Sequence, residues 1–175
     1  GKRQGEGRMD LPNGNSFKGK WDNDRMIEGV MTYANGSSYE GPFQNDLPHG
    51  MGVLRKRNGD VVTGFFQRGL LHGKGICTFV NDDTYFGNFV NTVFCGKGTL
   101  TLNGVGVYHG NFLNGVPDGN MTWKSIHGGE QKGSMKNGKW MGEWTYTDLK
   151  GRVSQCKIVP KPVKQDGLKD AGEGE

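Results

Sequence analysis

Four residues of types that bind zinc recur 23 residues apart, at His49, His72, Cys95 and Asp118. Their spacing argues against a shared ion. Equivalent residues in successive hairpins lie two strand spacings apart, about 10 Å, whereas zinc ligands sit ~2.0–2.3 Å from the metal. Asn81-Asp82-Asp83 offers oxygens suited to calcium, yet its position between two apolar runs reads as a polar turn. Cys77, Cys95 and Cys156 are odd in number and unrelated in repeat position, so they form no disulfide framework, and Cys77 is expected as a buried thiol. Gly5-x-Gly7 and its copies are not followed by a helix that could hold a phosphate. No nucleophile has a base within local reach. The sequence therefore points to no catalytic residue, no metal, no cofactor and no enzyme activity. Two basic clusters, Arg55-Lys56-Arg57 and the stretch with Lys150, Arg152, Lys157, Lys161 and Lys164, would contact anionic lipid, each cation contributing roughly 1 kcal/mol near such a surface.

The elements that carry these residues follow from a repeat. Gly19, Gly41, Gly64, Gly87, Gly110 and Gly133 are separated by 22 and then four times by 23 residues. A second column, Gly7, Gly29, Gly52, Gly75 and Gly98, fails at Met121 and Trp144, and a third runs through Gly50, Gly73, Gly96, Gly119 and Gly142. A fixed period of this kind outranks local signals, because each unit is one element buried only by its neighbours. Within Gly52 to Phe66, alternating runs flank Asn58-Gly59-Asp60, a hairpin signal. A three-residue loop at 58–60 predicts Lys56 opposite Val62, Leu54 opposite Gly64 and Gly52 opposite Phe66. Every large residue would then face a glycine, which makes room for it.

The pleat puts Met9, Met31, Leu54, Cys77, Leu100, Trp123 and Tyr146 on one face, with the rings of the second strands. A single sheet leaves this face bare unless something covers it. The predicted site is thus a concave aromatic groove in which Tyr39, Phe43, Phe66, Tyr85, Phe89, Tyr108 and Phe112 take a helix or extended peptide from a protein partner. The opposite face, with Arg55, Thr63, His109 and Lys132, should be wet. Phe65 and Phe86 interrupt it, and with Val61 and Ile76 they predict a small second apolar patch.

Tyr39-Glu40-Gly41-Pro42-Phe43, the polar loop after it and Gly50-Met51-Gly52 resemble the unit of the MORN-repeat (membrane occupation and recognition nexus) family. The resemblance covers roughly residues 1 to 151 in five or six units. It implies an all-β fold, a single-layered elongated antiparallel sheet of consecutive 23-residue β-hairpins. For function it implies scaffolding at membranes and cytoskeletal structures, protein partners, self-association in some members, and an adjoining enzyme domain in others.

Composition agrees. Glycine supplies 32 of 175 residues without a third-residue period, which excludes collagen, and 33% hydrophobic residues suit a sheet with one buried face. A net charge of +4 gives no support for nucleic acid. With no apolar run of ~20 residues and no leader, the chain is expected to be soluble and cytoplasmic, at the cytoskeleton or the cytoplasmic face of a membrane. The first residues align with the connection Gly69 to Gly75, so the chain reads as a piece of a longer array. The unit from Gly7 to Ile27 is one residue short, the tip at Gly104-Val105-Gly106 should differ, and Trp140 and Trp144 should cap the last strand or drive homodimerisation. The array is expected over 1–151, followed by a basic extended arm (Arg152 to Val163) and a disordered tail (Lys164 to Glu175). Three functions fit: a non-catalytic scaffold, a peripheral membrane module binding acidic phospholipid, and a regulatory segment of a larger enzyme.

Overall fold

The computed structural model describes residues 1–157. The strands are β1 (Gly5–Asp10), β2 (Ser16–Asp22), β3 (Arg25–Thr32), β4 (Ser38–Gln44), the short β5 (Leu47–Pro48), β6 (Gly50–Arg55), β7 (Val61–Gln67) and β8 (Leu70–Thr78). They continue with β9 (Thr84–Val90), β10 (Val93–Leu102), β11 (Gly106–Leu113), β12 (Val116–Ser125), β13 (Glu130–Lys136), β14 (Lys139–Thr147) and β15 (Val153–Lys157). They form one open antiparallel sheet in which β1 to β4 and β6 to β15 follow one another in chain order, while β5 pairs only with β4. The expected sheet of consecutive hairpins is therefore the observed fold. The ladder also runs on past residue 151, because β15 pairs with β14 from Val153↔Thr147 to Lys157↔Glu143. The rest of the basic arm and the acidic tail lie outside the described residues. Among the described residues no helix is long and apolar enough to cross a membrane.

Pairing at the hairpin tips corrects the expected register. Gly52 faces Gly64, Leu54 faces Val62 and Gly50 faces Phe66. The loop is 57–59: Lys56 N–H donates to the Asp60 carbonyl at 2.8 Å, and Gly59 N–H donates to the Lys56 carbonyl at 3.0 Å. Glycine thus opposes glycine, and the room they leave is filled along the diagonal. A Cβ on Gly52 would lie 2.3 Å from the Tyr39 hydroxyl oxygen, and one on Gly98 2.4 Å from that of Tyr85. Each tyrosine ring lies across the glycine pair two residues further along its strand.

The third glycine column has a separate cause. Hairpins are joined by two-residue turns with both φ angles positive, such as Asn45-Asp46 (51° and 59°) and Arg68-Gly69 (50° and 82°), the φ signature of a type I′ turn. Between that turn and the glycine pairs, the register slips by two residues, from Gly64↔Gly75 to Phe66↔Leu71. This bulge bends the strand. Its left-handed residue is Gly73 (φ 73°), with Gly50, Gly96, Gly119 and Gly142 equivalent. In the short first unit the slip is only one residue, from Lys20↔Glu28 to Trp21↔Met26, and Ile27 has no positive φ. The deleted residue removed the need for a glycine there. The tip at Asn103 to Val105 differs as expected: Gly104 takes the left-handed angle, whereas the other tips place it one position later, as at Gly59 and Asp82. Val105 occupies that later position, where a β-branched residue is strongly disfavoured in a left-handed conformation.

The bulges also cover the apolar face, which the sequence reading left bare. Leu71, from the connecting end of its repeat, is fully buried, and its methyls lie over Gly64 and Gly75. It fills the space that Val62, standing in the tyrosine column, is too short to reach. Phe94, the equivalent residue one repeat later, stacks on Tyr85 with centroids 3.8 Å apart and planes at 11°. Edge-to-face contacts join Phe17 to Trp21 and Phe43, Tyr39 to Phe43 and Phe66, and Tyr85 to Phe89 and Phe112. The core is one continuous strip of such rings.

Candidate functional site

The strip settles where six of the seven predicted partner-binding rings stand. Tyr39, Phe43, Phe66, Tyr85, Phe89 and Phe112 are between 0% and 7% exposed. They form the core of the sheet and offer no surface to a partner. Tyr108 is half-buried because Met121 replaces a glycine opposite Gly110 and its sulfur takes the space over that residue. The Tyr108 ring leans instead on Trp123, with centroids 4.4 Å apart. A hollow of about 160 Å³ opens on this face between Lys56, Val62, Cys77, Phe89 and Phe94.

Two of the rings carry a structural hydroxyl. The bulge interrupts the ladder, and the Tyr39 hydroxyl lies 3.2 Å from the Pro42 carbonyl and 3.3 Å from that of His49, while Tyr85 donates to the Asn88 carbonyl at 3.2 Å. Burial pushes both phenols up to about 12. Burial likewise raises the Cys77 thiol, which keeps it protonated and unreactive.

The basic tip is divided between the faces. Lys56 lines the inner hollow and pairs with Asp60 at 3.7 Å, whereas Arg55 lies one residue away on the outward side of the pleat. The Arg57 stem lies against the Gly36 loop of the neighbouring repeat. The three cations do not form one lipid-facing cluster. In the column of His49, His72, Cys95 and Asp118, the Asp118 carboxylate accepts the Asn137 N–H of the next connecting turn, and Gln4 plays the same part toward Asn23. Among the described residues no group of three or more His, Cys, Asp or Glu side chains is placed to hold a metal ion. Trp140 and Trp144 stack at 6.3 Å, with Trp144 over Gly133.

The outward face is where apolar surface is exposed. Met51 pairs across the ladder with Phe65, Ile76 pairs with Phe86, and their exposures are 63%, 46%, 45% and 54%. The His49 ring meets Phe65 edge-on at 5.9 Å. Beyond Phe86 the same face opens into a trough of about 320 Å³ floored by Gly87 and Gly98, and this leads past His109 into a wider one of about 780 Å³. Sequence reasoning named Phe65, Phe86 and Ile76 but missed Met51 and the trough. The signal for Met51 was available in the alternation of β6, since it stands two residues before Val53 and four before Arg55 on the same side.

The profile of the MORN repeat matches residues 1–16, 17–38, 39–61, 63–84, 85–104 and 108–120. Comparison with curated protein sequences finds no match. Among solved structures, the chain is similar to the TCP domain of SAS-4 (dCPAP) of Drosophila melanogaster in complex with a proline-rich motif of Ana2 (dSTIL). That likeness has 16% identity, 90% of each chain covered and a TM-score of 0.57. It is also similar to the TCP10 domain of Danio rerio CPAP, at 14% identity over 86% of this chain and 82% of that one, with a TM-score of 0.35. The likeness to the SAS-4 domain concerns the fold alone.

Proposed function

The chain belongs to the MORN-repeat family, and from that premise we propose that it is a non-catalytic scaffold that binds an extended segment of a protein partner on its outward face. The observation that carries this reading is the exposed Met51, Phe65, Ile76 and Phe86 band on a sheet that buries Tyr39, Phe43, Phe66, Tyr85 and Phe89. A protein that buries Phe66 and Phe89 completely, yet leaves Phe65 and Phe86 about half open, has an apolar surface that folding does not use. A similar open sheet, the TCP domain, is seen with a proline-rich motif. Flat exposed rings suit such segments, whose preformed extended conformation reduces the entropy lost on binding. A cytoskeletal setting accords with membership of the MORN-repeat family.

The test is fluorescence anisotropy with a panel of labelled proline-rich peptides against the wild type and Phe65→Ser/Phe86→Ser. Binding to the wild type that weakens at least tenfold in the double variant, with the melting temperature unchanged, supports the reading. Equal binding by both proteins would move the contact elsewhere. Membrane docking is measured beside it by sedimentation with acidic-lipid vesicles at low salt. With Lys56 held by Asp60 and Arg55 on the outward face, little recovery is expected.

A further inference from the structure

The proposal concerns the chemistry of the segment that docks on this face, and it rests on the scaffold reading above. Next to the exposed rings stand two cations, Lys74 on β8 and Lys97 on β10, with Phe86 between them as one wall of the 320 Å³ trough. No carboxylate lines that trough. Among the described residues the ion pairs involve other lysines and arginines, and neither Lys74 nor Lys97 takes part in one. Glu143, which borders the wider trough, is held by Lys157 at 3.3 Å. The apolar band therefore continues into positive charge without local compensation.

The spacing of these groups selects a conformation. Lys74 and Lys97, 23 residues apart on β8 and β10, are equivalent positions one repeat apart, whereas Phe86, 21 residues after Phe65, stands two positions back along β9 in the row of Ile76 and Thr99. One repeat is two strand spacings, about 9.6 Å. A polyproline II segment returns the same face every three residues, about 9.3 Å. Laid perpendicular to the strands, such a segment advances one turn per hairpin and stays in step with the repeat. A β-strand, whose faces recur about every 6.8 Å, does not keep that step.

We propose that the outward face of β7 to β10 binds an acidic polyproline II segment of a partner protein. It runs across the strands with carboxylates three apart on Lys74 and Lys97 and with apolar residues beside them against Phe65 and Phe86. The troughs beyond, past His109, extend the same track.

A random dodecapeptide library displayed on phage, panned on the immobilised full chain, tests this. The expected binders carry Asp or Glu at positions i and i+3 beside proline or aliphatic residues. Their affinity falls at least tenfold in Lys74→Glu/Lys97→Glu, and it weakens as sodium chloride is raised from about 50 to 500 mM, as interactions between exposed charges do. Binders without acidic enrichment that hold equally to Lys74→Glu/Lys97→Glu but are lost in Phe65→Ser/Phe86→Ser would overturn this inference and leave the scaffold reading standing. No binder above the Phe65→Ser/Phe86→Ser background would overturn both. All four side chains are exposed, and if the serine variant fails to fold, the charge reversal decides alone.

Discussion

Phe65 and Phe66 are adjacent rings with opposite fates, one about half exposed and one fully buried. Phe66 meets Tyr39 edge-to-face at 4.9 Å and sits in the ring strip that holds neighbouring repeats together. Phe66→Ala should cost about 3–5 kcal/mol in urea unfolding, the range for a buried Phe→Ala cavity. An unfolding midpoint equal to wild type would show that the strip is not the core. The buried phenols give a second measurement. Tyr39 and Tyr85 are raised from 10 to about 12 by burial, so the unfolded chain releases their protons first. The stability they contribute is complete below pH ~10 and is lost as pH climbs toward 12. Absorbance at 295 nm should show two of the five tyrosines titrating near 12, together with loss of the folded signal. Titration of all tyrosines near 10 in a protein that stays folded would contradict the burial.

At the scale of the hairpin, two glycine columns serve sterics and one serves dihedral angle, and substitutions separate them. A Cβ on Gly98 meets the Tyr85 ring at 2.4–2.6 Å, so Gly98→Ala overpacks a buried site and should cost about 1–3 kcal/mol. A Cβ on Gly73 meets nothing within 4 Å, but its φ of 73° is left-handed, so Gly73→Ala should cost about 1 kcal/mol from backbone alone. Ile27→Gly, which restores the column in the short repeat, should lower stability by ~0.5–1 kcal/mol, because its bulge needs no left-handed residue and glycine adds unfolded-state entropy. A gain in melting temperature for Ile27→Gly would refute the one-residue bulge. The period, the hairpins and the division into two faces were legible because glycine and ring positions recur in register. The pairing was read two residues off, and the faces survived that error because side chains alternate with a period of two. The bulge was not legible as a bulge. Gly50 and Gly73 show in the sequence only as a third recurring column, and without the bend that they permit, Leu71 and Phe94 could not be placed over the rings. That omission turned a core into a groove.

The whole molecule is a chain of nearest neighbours. Among the described residues no strand pairs with another distant in sequence, and the sheet does not close. Stability should then be close to a sum of hairpin terms and interfaces, so strands with one neighbour lose the most. At the ends, β1 has no fully buried residue and β15 has none either, whereas β7 and β9 each bury three. The end units also depart from the pattern that fills the core: Met121 and Trp144 stand where glycines should, and Gln131 stands in the tyrosine column. Native-state hydrogen exchange should accordingly be graded, fastest in β1 and β15, slower through β3 and β13, and slowest from β7 to β10, with a spread of several kcal/mol in opening free energy. The gradient bears on function because the proposed docking track lies on the slow-exchanging centre, where Phe65, Lys74, Phe86 and Lys97 are held by neighbours on both sides. A scaffold of this kind reads a partner by spacing, and only a rigid stretch keeps that spacing fixed. Exchange at one uniform rate from β1 to β15 would show that the array unfolds as a single cooperative body and would remove the energetic distinction between its centre and its ends.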